Sequence, residues 1–350
     1  MVGVSVNSVA APLPRRRHGH RAMLGALALL LVAVATWSLT RGAMAITPGD
    51  IAGALSRWLA GAGARGDDNV VLALRLPRLV LAVMVGAALA TGGTTMQGLF
   101  RNPLADPGLV GVSAGAALGA VGAIVLGGQS GSWVVAVAAF LGGLAATALV
   151  FAIGRRRTGV ASLLLAGVAI NAIAMAGVGL LTYLANENQL RDLTFWSLGS
   201  LGGASWPRLA IVAPWIVLPL ILLPRAARAL NALLLGEGEA ALLGFRPERL
   251  QPWLVGLVAL SVGAAVAYTG VIGFVGLVVP HLLRMGFGPD HRFLLPASAL
   301  GGATLLVAAD ALARTVVAPG ELPIGVLTAL VGGPFFLWLL LSRRAGEAVS

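Results

Sequence analysis

Long, unbroken apolar runs alternate with short segments rich in Arg, Gly and Pro along almost the whole chain. Most runs are apolar on every face. Neither the two-residue alternation of a half-buried strand nor the one-sided stripe of a soluble helix describes them. A helix needs about 20 such residues to cross a bilayer. The runs predict helices over 22–40, 76–99, 109–127, 132–153, 160–185, 208–223, 252–270, 271–284, 293–313 and 323–341. The expected fold class is all-α, a polytopic membrane protein with about ten transmembrane helices.

Two connections are too long for simple turns. In 41–75, Thr47-Pro48-Gly49-Asp50 precedes an apolar–polar stretch reaching Leu59, which predicts a short surface helix. Residues 224–251 carry Ala/Leu-rich stretches cut by Gly236, Gly238 and Gly244, which predict two short helices joined by a tight elbow. In 109–127, Gly111, Gly115 and Gly119 recur every fourth residue, a spacing that lets a neighbouring helix approach closely. Broken elbows at Asn102–Pro107 and Gly286–Asp290 occupy matching points of the two halves, a faint symmetry of the inverted-repeat kind.

Composition supplies the solvent. Of 350 residues, 58% are hydrophobic and 11% charged, less than half the roughly 25% charged of a soluble domain. A globule of this size could not be covered with so little polar surface; a lipid bilayer is its matching partner. The net charge of +11 would suit a nucleic-acid binder, but all 24 basic residues are Arg, in short loops between apolar runs. That is a topology pattern, with no nucleic acid implied. With the N-terminus inside, 16 arginines fall on the inner side and 8 on the outer. Both termini are therefore expected in the cytoplasm, with an even number of crossings.

Arg15, Arg16, Arg17 and Arg21 precede the first run and Ala43-Met44-Ala45 follows it, as in a cleaved signal. The run from Ala22 to Leu39 is longer than a signal's apolar core, so it is read as a retained helix. The expected organisation is a basic tail over 1–21, a membrane domain over 22–341 and a short tail over 342–350.

Little in the chain can do chemistry. A phosphate loop needs a Lys reaching the β- and γ-phosphates, and this chain has none. An ion-coupled carrier holds acids or His at mid-membrane; Asp310 is the sole acid inside an apolar run, and Arg314 four residues on is its expected partner. The histidines, His18, His20, His281 and His291, lack the spacing of metal ligands, and the absence of Cys removes thiolate sites. No catalytic residue and no metal site is expected. The residues describe a conduit.

Arg75-Leu76-Pro77-Arg78, the run Met96-Gln97-Gly98-Leu99-Phe100-Arg101-Asn102-Pro103-Leu104-Ala105-Asp106-Pro107-Gly108, Gly273-Phe274-Val275-Gly276 through Pro280-His281-Leu282-Leu283-Arg284, and Glu321-Leu322-Pro323-Ile324-Gly325 together resemble the FecCD family. These are permeases of type II ABC importers for vitamin B12, iron-siderophores and haem. The resemblance implies the type II permease fold, a homodimer with its pathway on the two-fold axis, two ATP-binding cassette ATPase subunits below and a periplasmic substrate-binding protein above. It implies no cofactor in this chain, ATP-Mg being held by the ATPase, and a bacterial inner-membrane location. The implied ATPase-coupling residues are Leu235, Gly236, Glu237, Ala240, Leu243 and Gly244, and the implied docking arginines are Arg75, Arg78 and Arg314. Cytoplasmic gates match Asn102 and Leu104, then Gly159 and Val160, while Gly167, Asn171 and Met175 match the pathway lining. The segment Gln189–Ala204, with Phe195-Trp196-Ser197-Leu198-Gly199-Ser200, looks most like haem permeases. Haem is the implied cargo; a ferric siderophore or cobalamin, and an ion-gradient-driven carrier from another class, stand as alternatives.

Overall fold

The computed structural model describes residues 15–347 apart from 43, 62–65, 129–132, 155–159 and 318–319. In chain order its helices are α1 (Arg15–Thr40), α2 (Pro48–Leu59), α3 (Leu76–Leu99), α4 (Val112–Val125), α5 (Trp133–Gly154), α6 (Val160–Leu184), α7 (Glu187–Leu198), α8 (Trp206–Leu222), α9 (Ala227–Leu235), α10 (Glu237–Leu242), α11 (Pro247–Thr269), α12 (Val275–Phe287), α13 (His291–Ala313) and α14 (Ile324–Glu347). Among the described residues no strand forms.

Among the described residues seven helical segments are long and apolar enough to cross a membrane, and three shorter apolar helices, within α4, α12 and α14, join them. The chain is a multi-pass, all-helical membrane protein. Backbone polar groups have no water to bond in lipid, so each segment satisfies them internally. Helices α1 and α14 extend past their apolar runs to Arg15 and Glu347, because Arg and Glu propagate a helix almost as well as Ala.

The centre is the pair α3 and α13, where Gly86 and Gly302 face each other so closely that a Cβ on either would overlap the other's carbonyl oxygen. Contact of this kind drives association where lipid is as apolar as the helices. One polar pair on this seam bonds across it. The Thr94 hydroxyl donates to the Ala90 carbonyl at 2.9 Å and accepts from the Ser298 hydroxyl across the interface at 2.8 Å.

The predicted glycine seam is partly as expected. Gly115 and Gly119 pack against the backbone of α5, but Gly111 lies before α4 at φ 90°, closing a 3-10 turn over Pro107–Val110. That turn starts α4 later than the apolar pattern implied. Likewise α12 begins at Val275 because 271–274 is non-helical, and Ser200 N–H bonds the Thr269 carbonyl just before it at 2.7 Å. The surface helix expected before Leu59 is α2. Its capping box pairs Thr47 N–H with Asp50 Oδ2 at 2.9 Å and Asp50 N–H with Thr47 Oγ1 at 3.2 Å.

Helix α7 was absent from the sequence expectations. It is amphipathic rather than apolar, so hydropathy passes over it. Its signal is the capping box of Asn186 and Gln189, whose reciprocal bonds are both 3.0 Å.

Candidate functional site

Candidate functional residues collect at the two ends of the bundle. At the end holding α2 and α7, the C-terminus of α1 leaves carbonyls without intrahelical partners. Arg75, carried on a π-turn over Val70–Arg75, is buried and donates to the carbonyls of Leu39 and Met44. From the other side Arg314 donates to the Ser38 hydroxyl at 2.8 Å and to the carbonyls of Ser38 at 3.3 Å and Arg41 at 3.0 Å. Two cations thus cap one helix end, where the macrodipole favours them. Burial lowers the pKa of the Arg314 guanidinium, and the Asp310 charge opposes that shift.

Arg78 links this cap to the end of α13. Its Nε lies 2.9 Å from Asp310 Oδ1, and its two terminal nitrogens each donate to Glu321 at 2.9 Å in a fork. Asp310 also meets Arg314 Nε at 3.1 Å, the predicted i,i+4 pair. Asp310 is 3% exposed and Glu321 47%. Arg78 and Arg314 therefore share Asp310, Arg78 also holds Glu321, and with Arg75 these two arginines and Glu321 line a cavity of about 370 Å³ that Met44 and Gly202 also line. The structure brings Arg75, Arg78 and Arg314 together, but it occupies most of their donors internally. The family resemblance marked the three and did not mark Glu321, the accessible member.

The opposite end carries the elbow. Helix α9 ends at Leu235, Gly236 turns the chain at φ 130°, and α10 follows at once. Gln251 donates to Glu237 Oε1 at 2.9 Å, tying the start of α10 to α11. Helix α10 stops in a Schellman motif: Phe245 N–H bonds the Ala240 carbonyl and Gly244 N–H bonds the Ala241 carbonyl, both at 3.0 Å, with Gly244 at φ 87°. Ala240 is buried under the elbow. Leu242 and Leu243 stand out 90% and 60% exposed. Leu242 escaped the sequence reading; the turn rotates it outward, which composition alone does not reveal. A Cβ at Gly244 would enter open space. Gly244→Ala should therefore cost only the left-handed penalty, about 1–2 kcal/mol, read as a lower melting temperature in detergent; an unchanged melt would contradict the motif.

At the same end the loop after α3 makes a turn in which Asn102 Oδ1 accepts from Leu104 N–H at 2.9 Å, leaving Leu104 exposed. Asp106 Oδ1 accepts from Gly108 N–H at 2.8 Å and caps the 3-10 turn; burial raises its pKa while this bond opposes the rise. Gly159 lies outside the described residues, and Val160 opens α6 with its side chain also outside them. On α6, Gly167 is pressed against the Leu109 carbonyl and Asn171 Nδ2 donates to the Gly108 carbonyl at 2.9 Å. Both face into the protomer, whereas Met175, a further turn along, is exposed. Among the described residues no group of acids and histidines is arranged to hold a metal ion.

The profile of the FecCD transport family matches residues 29–342. The Hemin transport system permease protein HmuU of Yersinia pestis is 50% identical over 333 residues, covering 93% of this chain and 96% of that protein. The vitamin B12 import system permease protein BtuC of Salmonella paratyphi A is 42% identical, covering 90% and 93%. A solved inward-facing metal-chelate type ABC transporter superposes with TM-score 0.82 at 34% identity, over 92% of this chain and 99% of that one. PsaBC from Streptococcus pneumoniae, at 19% identity, TM-score 0.56 and coverage of 75% and 89%, shares the fold alone.

Proposed function

Because this chain belongs to the FecCD transport family, we propose that it is the permease subunit of an ATP-driven importer that moves haem from the periplasm into the cytoplasm. The observation that carries the cargo is the 50% identity, over 93% of the chain, with a haemin transport permease. The protomer works as a homodimer in the bacterial inner membrane, with both termini cytoplasmic, and the pathway runs along its two-fold axis. The exposed apolar face of α6, with Leu165, Ile173 and Met175, and that of α14, with Leu330 and Val331, supply surface for that axis.

Each end then has a task. The elbow of α9 and α10 receives the ATPase, with Leu242 and Leu243 as its apolar contact and Glu237 fixing the angle of α10. Leu104 closes the inner mouth as an apolar plug, with Asn102 shaping its turn. At the outer end the binding protein docks over Arg75, Arg78 and Arg314, and its carboxylate competes with Glu321 for the fork of Arg78. ATP closure of the ATPase pair biases a two-state scaffold between outward and inward openings. This chain contributes no group to hydrolysis, since it has no Lys for a phosphate loop.

The test is uptake by proteoliposomes containing the permease, its ATPase and its binding protein, supplied with haem, a ferric siderophore or cobalamin. ATP-dependent haem uptake is expected. Leu242→Glu with Leu243→Glu should lose the ATPase on purification and cut uptake at least tenfold, while the permease still inserts. Uptake driven by a pH gradient without ATP would overturn the importer, and preference for cobalamin or siderophore would overturn the cargo.

A further inference from the structure

A second basic cavity, of about 620 Å³, lies between the first turns of α1, the start of α9 and the start of α13. Arg21, Arg228 and Arg292 line it, and Asp290 is its one acid. Among the described residues none of these three arginines forms an ion pair. Asp290 is already engaged: it accepts from Asn231 Nδ2 at 2.7 Å and from Arg292 N–H at 3.0 Å, capping α13. Burial opposes its ionisation, but these bonds and the nearby Arg292 and His20 charges hold its pKa below the ordinary carboxylate value. It therefore supplies a fixed charge to the helix start and leaves the arginines in excess.

The wall opposite the charge is apolar. His20 stacks on Phe293 with centroids 4.4 Å apart, and Leu24 follows one turn up α1, where the apolar run has begun. Helix α1 packs chiefly on α13 and leaves Leu29, Leu30 and Val32 exposed, so the cavity sits at the lipid-facing margin of the bundle. A cation-rich floor beside an apolar wall at that depth matches an amphiphile rather than a free ion. The volume is many times the about 30 Å³ share of one water, enough for a phosphate with a small polyol.

We propose that this cavity binds the phosphate headgroup of an anionic phospholipid of the inner leaflet, joining α1 to α9 and hence to the coupling elbow. Basic pockets between transmembrane helices at the cytoplasmic side suit such headgroups. The assignment to the inner leaflet rests on the orientation proposed above; binding in detergent does not depend on it, so the two fail separately.

The test is native mass spectrometry of the full-length protein in neutral detergent, titrated with phosphatidylglycerol, phosphatidylcholine or inorganic phosphate. The protein should bind phosphatidylglycerol in preference to phosphatidylcholine. Arg228→Gln with Arg292→Gln should weaken phosphatidylglycerol binding about thirtyfold, at about fivefold per arginine. Both side chains are exposed, so the fold should survive, and Arg228→Lys with Arg292→Lys should restore most of the binding. Arg191→Gln, on α7 at the other end, should change nothing. Equal binding of the two lipids, or full binding by the glutamine variant, overturns the site. Displacement of phosphatidylglycerol by millimolar inorganic phosphate assigns it to a free anion and overturns the lipid.

Discussion

Asp310→Leu should unfold the end of the bundle that holds α2 and α7 and abolish uptake. Asp310 is 3% exposed and stands between Arg78 at 2.9 Å and Arg314 at 3.1 Å. Removing it takes the buried counter-charge from two largely buried guanidinium groups, leaving Arg78 only the half-exposed Glu321 and Arg314 only the neutral partners with which it caps α1. Breaking a buried ionic cluster by deleting one partner costs about 3–5 kcal/mol, because the remaining charge keeps its desolvation penalty. The double variant Asp310→Leu with Arg78→Met should cost less than the sum of the single changes, by 1 kcal/mol or more, because the pair then leaves together. Thermal unfolding in detergent measures both, and strict additivity would show that the two residues act independently.

Glu321 makes the contrast. It is 47% exposed and shares Arg78 through a fork at 2.9 Å. Its neutralisation by Glu321→Gln should cost no more than about 1 kcal/mol. Under the proposed docking it should nevertheless tighten the complex with the binding protein, since it frees the donor for which an incoming carboxylate would compete. A stability loss as large as that of Asp310→Leu would place Glu321 in the buried framework instead.

The second large effect is expected at the α3–α13 crossing. Gly302→Leu must push apart two backbones that already touch through Gly86, and no flexible side chain stands there to yield. Overpacking costs about 1–3 kcal/mol where neighbours can shift; here the backbone itself must move, so the cost should lie at or above the top of that range. Loss of the monodisperse peak in size-exclusion chromatography is the readout. Gly256→Leu on α11 has open space around its Cβ position and should behave as wild type. Similar behaviour of the two variants would mean that the crossing does not govern stability.

Properties carried by consecutive residues were legible before any fold was known. The apolar runs announced the apolar helices, seven long enough to cross and three shorter among the described residues, because a bilayer reads hydropathy locally, one segment at a time. The missing Lys excluded a phosphate loop, and the glycines at 236 and 244 announced the elbow because positive φ is a local demand. The family resemblance also marked Arg75, Arg78 and Arg314, which the fold gathers into one cluster.

What those arginines touch was settled only by tertiary packing. Arg314 reaches Ser38, 276 residues away, and Arg78 reaches Glu321 across 243. No local pattern encodes either meeting. The faces of the helices were equally hidden. In a soluble helix a polar stripe marks the outside, whereas here the lipid-facing and core-facing sides are both apolar, so periodicity could not tell Gly167 and Asn171, turned inward, from the exposed Met175. Lipid erases the contrast that water would have written into the chain, and three-dimensional contact restores it.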